Sequence, residues 1–356
     1  MRSLAAATVL LAGLAAARAD DEGSAASSRV RWTGDALLRG EAVRDAPNPT
    51  TSDFERLRLR LRPGIEIPIG PEGIAAGAGL LASIASDSND FNMIRIDNFV
   101  SDEITIDRAY LRFSGGEIPL AATIGEFETP FIGTEVLWDR DIRFVGAAAG
   151  YELAPAGKLV AQRLYGGASV GSQNHEDESQ VAAVRWEGEA ARGLSFGAGF
   201  WYFAETAALV AAGYARTNRL AAGGADYLSD YRVCNLTIGW EVLGERRPIR
   251  LRLDYLHNFG ADDRRDGGDL RLDWGELQDR GTWRLRLMLQ RVEQDAALAA
   301  FGGDEWWFRT HQRGARLGFA VALHERAHIE IAALRQRRDS LDEWLERGWV
   351  DFVYRF

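Results

Sequence analysis

Polar and apolar residues alternate along much of this chain. Between Phe54 and Arg62, Leu57, Leu59 and Leu61 fall on one side of an extended backbone, and Arg56, Arg58, Arg60 and Arg62 fall on the other. On a helix the same leucines would spread around the cylinder, so the period of two predicts a strand. Ile249, Leu251, Leu253 and Tyr255 repeat the design against Arg250, Arg252, Asp254 and Leu256. Trp283, Leu285, Leu287 and Leu289 do so against Arg284, Arg286, Met288 and Gln290. In a further segment Leu194, Phe196, Ala198, Phe200 and Tyr202 share a face, opposite the small residues Ser195, Gly197 and Gly199. Small residues on that side leave room in a lumen or pack against an internal loop.

The pattern predicts strands at 30–42, 54–67, 74–85, 103–114, 119–127, 142–153, 158–169, 179–189, 194–204, 231–243, 248–259, 268–276, 282–293, 313–323, 327–336 and 347–356. Pro63 interrupts the second, where Gly64 beside it would accommodate a bulge or a local break. Short turn signals occur at 70–73, 114–116, 155–157, 244–245 and 324–326. Longer polar stretches occupy 86–102, 128–141, 171–178, 206–230, 261–267, 294–310 and 336–346. Short turns read as periplasmic and long loops as extracellular. One long loop folding inward would narrow a lumen, and the sequence does not say which.

Strands with one greasy and one charged face predict an all-β fold: a closed antiparallel transmembrane β-barrel of about sixteen strands, with 14 or 18 as the alternatives. The carboxyl terminus is the sharpest local sign. Val350, Phe352, Tyr354 and Phe356 alternate with Asp351 and Arg355, an apolar row that invites aggregation in a soluble edge strand but is covered by lipid in a barrel. Ending in Tyr354 and Phe356, the chain resembles outer-membrane barrels, whose terminal residues serve as an assembly signal.

The amino terminus reads as an export signal over 1–19: Arg2, an apolar stretch from Leu4 to Ala16, then Ala17-Arg18-Ala19. The stretch is shorter than the roughly 20 residues of a spanning helix. Residues 20–29 form a short segment before a barrel at 30–356. With a single cysteine, Cys234, the exported chain cannot form an internal disulfide, and that residue reads as a small buried or lipid-facing group. A net charge of −10 gives no nucleic-acid footprint. Trp32, Trp138, Trp186, Trp240, Trp274, Trp283 and Trp349 are candidates for interfacial aromatic belts.

Several stretches carry a resemblance: Ile106 to Phe113, Gly125 with Pro130, Trp138-Asp139-Arg140-Asp141 followed by Gly146, Gly281-Thr282-Trp283 through Arg291 to Asp295-Ala296, and the terminal Tyr354-Arg355-Phe356. With them the chain resembles the putative porin family of bacterial outer-membrane β-barrels, from about Trp32 to Phe356. The resemblance implies a passive outer-membrane pore for small hydrophilic solutes, with no cofactor, no metal and no catalytic set to carry over. Its implied partners are outer-membrane lipid and lipopolysaccharide, the barrel assembly machinery and, as in many sixteen-stranded porins, two further copies in a homotrimer.

Candidate pore-lining residues are Arg56, Arg58, Arg60, Arg62, Arg108, Arg112, Arg250, Arg252, Arg284 and Arg286. Two readings stay open. The arginines favour anions in the pore, or they pair with Asp35, Glu41, Glu55, Asp107, Asp254, Asp269 or Asp273 and stiffen the wall. Glu55 is a poor partner because its parity differs from that of the row.

An enzymatic alternative rests on His324-Glu325-Arg326-Ala327-His328, a match to the H-E-x-x-H zinc motif of metallopeptidases. That chemistry needs a helix, whereas the flanking residues alternate. In one extended strand, backbones four residues apart stand about 13 Å from each other, too far to share zinc normally. Asp139 and Asp141, and the loop acids Asp262, Asp263 and Asp266, lack the regular spacing of a calcium loop. A barrel hydrolase, an adhesin-like barrel and a soluble β-sandwich or β-helix are the other classes to set against a pore.

Overall fold

A β-strand in hydrocarbon has to bond every peptide group to a neighbour, and a sheet meets that demand by closing. The computed structural model describes residues 30–45, 53–69, 73–86, 103–115, 118–131, 134–170, 179–243 and 247–356. The expected signal peptide, the 20–29 segment, loop 86–102 beyond Ser86, loop 171–178, the turn at 244–245 and parts of the turns at 70–73 and 114–116 lie outside them.

Sixteen strands form one closed barrel: β1 (Arg31–Arg44), β2 (Phe54–Pro68), β3 (Ile74–Ala85), β4 (Glu103–Ser114), β5 (Leu120–Glu128), β6 (Arg143–Leu153), β7 (Leu159–Val170) and β8 (Gln180–Ala190) make half of it. The other half is β9 (Leu194–Ala204), β10 (Tyr231–Leu243), β11 (Ile249–Asn258), β12 (Asp266–Gly275), β13 (Trp283–Val292), β14 (Gln312–His324), β15 (Ala327–Arg338) and β16 (Leu345–Arg355). Each pairs antiparallel with its sequence neighbours. The ladder from Asp35 opposite Arg355 to Arg44 opposite Glu346 joins β1 to β16 and closes the circle. Among the described residues no helix is long and apolar enough to cross a membrane.

Parity decides which side chains face out. Leu57, Leu253, Leu289, Leu317, Ile331, Val350 and Phe352 are exposed on the outer wall, while Arg56, Arg58, Arg60, Asp254 and Asp351 are buried within it. Cys234 also faces out, half-buried. Two expected belt residues are corrected. Trp138 and Trp349 are 4% and 5% exposed and belong to the interior, whereas Trp32, Trp240 and Trp274 stand on the outside.

Pro63 causes no bulge. The β1–β2 ladder runs through it in register, and the β2–β3 ladder skips Arg62 and Pro63 without changing register, so the break is local. Gly34 lies opposite Pro63 with φ 149, and a β-carbon there would stand 2.0 Å from the Arg62 carbonyl oxygen. The bulge sits one strand further on. Gly79 opposes Arg108 but Leu80 opposes Ile106, which leaves Asp107 without a partner in that ladder. This extra residue flips the parity of β4: Ile106 is on the outside, yet Arg108, Tyr110 and Arg112 turn inward. Arg108 lies over Gly64 and Gly79, and the Tyr110 ring lies over Gly77, positions where a side chain would collide with them.

Gly34→Ala should therefore weaken the seam between β1 and β2 by more than about 1 kcal/mol, since alanine is strained at this backbone angle and has no room. The expected readout is a lower temperature for the shift between folded and unfolded bands on a semi-native gel, with Gly40→Ala, where a β-carbon meets nothing within 4 Å, as the unaffected control.

Candidate pore and its constriction

A sixteen-stranded barrel is wide enough to leave an aqueous channel unless something enters it. Two loops do. The described residues of the loop between β5 and β6 (129–142) and the loop between β13 and β14 (293–311) turn into the lumen and pack against each other, with Leu137, Trp138, Ala296 to Phe301 and Asp304 all buried. The Trp138 and Phe301 rings stack at 4.9 Å with an interplanar angle of 8°. Trp138 also stacks on Trp201 of β9 at 5.6 Å, and Phe131 meets Trp201 edge-on at 5.5 Å. Each such contact is worth about 0.5–1.5 kcal/mol beyond the area it buries. The small inward residues of β9 make the room: Gly197 lies under Arg185, and Gly199 under Trp201.

Backbone bonds tie the two loops together. Asp139 N–H donates to the Phe301 carbonyl at 2.7 Å, and Gly303 N–H to the Glu135 carbonyl at 2.7 Å. Asp139 accepts from the backbone N–H groups of Asp141 at 2.8 Å and Asp304 at 2.9 Å. A third loop (205–230) braces the second. Asn218 donates to the carbonyls of Gln294 and Ala297 and accepts from the Ala299 N–H, while Arg219 Nε donates to Asp295 at 2.7 Å.

Charge fastens this plug to the wall. On one side Arg60 and Arg62 of β2 each donate to Asp141 at 2.6 Å. On the other, Glu135 accepts from Arg271 of β12 and Arg316 of β14, each at 2.9 Å, and the Thr134 hydroxyl donates to Asp269 at 2.9 Å. From the second loop, the carbonyls of Asp304 and Glu305 accept from Arg347 of β16. Burial alone would raise the Glu135 and Asp141 carboxyls, but the neighbouring guanidiniums overcome it: Arg316 and Arg271 for Glu135, and Arg60, Arg62 and Arg143 for Asp141 hold them below the ordinary range. Asp139 goes the other way. Its burial, with Asp304, Asp141 and Glu305 nearby, pushes its carboxyl well up despite Arg309.

The candidate arginines divide into two groups. Arg56, Arg58, Arg60 and Arg62 do face inward, but they lie packed beneath the plug, Arg58 being 1% exposed. Glu41 pairs with Arg56, Arg58 and Arg347, Asp35 with Arg60 and Arg62, and Asp351 with Arg39. Arg250, Arg252, Arg284, Arg286 and Arg112 keep contact with water nearer the short-turn end. Arg250 bonds Glu241 and Glu276, Arg252 bonds Asp254, Arg284 bonds Glu330, Arg286 bonds Asp273 and Arg112 bonds Glu66. Arg108 reaches Asp107 and Glu128. Glu55 pairs with Arg44 on the exposed rim, away from the row.

A cavity of about 250 Å³ at the short-turn end is lined by Arg250, Arg284, Arg286, His324, His328 and Arg355 among others. The histidines reach it from a hairpin. His324 ends β14, Glu325-Arg326 turn the chain, and His328 follows on β15 opposite Ala322. The helix that zinc ligation by this motif requires is absent, and among the described residues no three His, Cys, Asp or Glu side chains gather where they could hold a metal ion.

The sequence profile described as putative porin matches residues 34–171, which run from β1 to just past the end of β7. The match spans 138 of the 356 residues. No curated protein sequence matches the chain. Among solved structures, two triple mutants of the Rhodopseudomonas blastica porin superpose with TM-scores of 0.55 at 12% and 13% identity, each covering 92% of this chain and 100% of the other. A third structure, described as showing asymmetric conductivity of engineered proteins, has a TM-score of 0.53 at 12% identity with the same coverage. At these identities the likeness is one of fold. The three structures share the closed-barrel fold of this chain.

Glu135 is the residue that sequence reading missed, because its partners are 136 and 181 positions away on other strands. Glu135→Gln should leave Arg271 buried without its ion-pair partner and Arg316 with only Glu305, 3.5 Å away, a loss of up to about 3–5 kcal/mol in the attachment of the plug. Single-channel records would show it as longer and more frequent high-conductance events than in the wild type.

Asp139 gives the plug a pH dependence of definite sign. A carboxyl raised by folding favours the closed packing at acid pH and withdraws that contribution as pH rises through its folded value. Raising the pH through that value should therefore increase opening events in the wild type and change them less in Asp139→Asn. The depressed carboxyls of Glu135 and Asp141 act in the opposite sense, losing their contribution only in strong acid.

Proposed function

We propose that the protein is a porin of the bacterial outer membrane that passes small hydrophilic solutes by diffusion, through a lumen narrowed by its two inward loops. The observation that carries this reading is the division of the wall: an apolar outside that suits lipid, and an inside where charged groups are paired. The family match over residues 34–171 supports the same reading. The exposed short-turn end, lined by Arg250, Arg252, Arg284 and Arg286, serves as the wide vestibule, and the plug sets the size limit.

Selectivity follows from the pairing. On the side of the plug formed by β16, β1 and β2, six guanidiniums, of Arg39, Arg56, Arg58, Arg60, Arg62 and Arg347, are bonded to four carboxylates, of Asp35, Glu41, Asp141 and Asp351. Asp304 and Glu305 lie close by and offset part of the surplus, burial pushing the Glu305 carboxyl up. A mild preference for anions follows, rather than the strong one that ten unpaired arginines would create. Three copies in a trimer, insertion by the barrel assembly machinery at the Tyr354 and Phe356 end, and passive transport without catalysis complete the proposal.

Planar-bilayer recordings under a salt gradient test it. The expected result is a steady conductance with a small reversal potential of anion-selective sign. Arg60→Gln combined with Arg62→Gln should move that sign toward cations, because Asp35 and Asp141 lose their partners. A protein that inserts but carries no current, or a wild type that clearly favours cations, would defeat the reading.

A further inference from the structure

On the outer wall, the strip from β13 to β15 is apolar through most of its height, with Leu289, Leu317, Phe319 and Ile331 exposed. At the last outward position before the long loops its character changes. Arg291 stands directly opposite Arg313 across one ladder, and Arg313 directly opposite Arg337 across the next. Their chain neighbours Gln290, Gln312 and Gln336 are buried on the inside, so the three arginines point away from the lumen. Directly opposed residues have β-carbons about 4.5–5.5 Å apart, where like charges repel.

Little among the described residues relieves that repulsion. Neither Arg291 nor Arg313 has an ion pair among the described residues, and both are exposed. Arg337 reaches only Asp342, at 4.0 Å on an exposed loop, and its Nε is buried without an acceptor. Arg335, two residues nearer the middle of the wall, is 3.5 Å from Glu346, and Trp344 lies against both guanidiniums, at 5.1 Å from Arg335 and 5.3 Å from Arg337. Beside Arg291 the next strand presents Gly268, which leaves that guanidinium open.

We propose that the Arg291–Arg313–Arg337 row binds the phosphate headgroup of an anionic lipid embedded in the membrane, with Trp344 at its edge and the acyl chains lying along Leu289 and Leu317. Guanidiniums suit phosphate because they bond it in bidentate fashion. A multiply charged headgroup is the partner that turns three adjacent cations from a penalty into a site. The apolar strip directly below the row favours a lipid over a free anion, which would have no use for it. The inference rests on the outer wall facing lipid, as the porin reading holds.

The test uses the purified, folded barrel in neutral detergent, with bisphosphorylated lipid A as probe, phosphatidylcholine as the zwitterionic control and inorganic phosphate as competitor. Native mass spectrometry should find lipid A retained on the wild type. The triple variant R291Q/R313Q/R337Q should retain about tenfold less, and the corresponding triple lysine variant an intermediate amount, because it keeps charge but loses bidentate bonding. A second readout is a reversal of sign: Arg313→Gln should stabilise the barrel in neutral detergent and destabilise it, relative to wild type, once lipid A is present.

Equal retention by the triple glutamine variant, or displacement by inorganic phosphate at the concentration of the lipid, would overturn the site. Heat-shifted migration and conductance separate the two claims. A wild type that passes both but ignores lipid A refutes the headgroup site alone, whereas one that fails both refutes the porin reading beneath it.

Discussion

Everything in this molecule depends on the closing ladder between β1 and β16. Without it, two rows of peptide N–H and C=O groups would face hydrocarbon, where no water can satisfy them. With it, each strand has two partners, and the outer side chains are released from any duty but solubility in lipid. The Leu57, Leu253 and Val350 faces, which would promote aggregation of an open sheet, become the surface the surroundings require.

Closure creates a second problem, because sixteen strands enclose more space than their own inward side chains fill. Loop 129–142, in its described part, and loop 293–311 take up that space with a stacked aromatic centre, and guanidiniums from opposite walls hold them in place. The wall arginines therefore work mainly as anchors. Their charge is available to solutes only where the plug does not cover them, toward the short-turn end. The same chemistry appears outside in reverse: Arg291 and Arg313 have no ion pair among the described residues, Arg337 reaches only Asp342 and Trp344, and all three face the surroundings.

Strands were legible because their rule is local. A period of two identified sixteen segments whose bounds match the observed ones closely, and it assigned Arg56 to Arg62 and Arg284 to Arg286 to the inside. The terminal row of Val350, Phe352, Tyr354 and Phe356 was legible for the same reason. Arg108 turns inward, although local parity from Ile106 argues against it. Only the unpaired Asp107, visible in the ladder with β3, explains why both can hold.

The chain by itself thus determined the barrel, since alternation between two solvents is written in neighbouring residues. Tertiary structure alone decided what fills it. Trp138 looks like a belt residue until Phe301 is found 4.9 Å away, and Glu135 is unremarkable until Arg271 and Arg316 converge on it. A loop has no periodicity to declare its destination. Whether it lies over the rim or enters the lumen depends on partners from distant strands, and closure of the sheet is what brings them together.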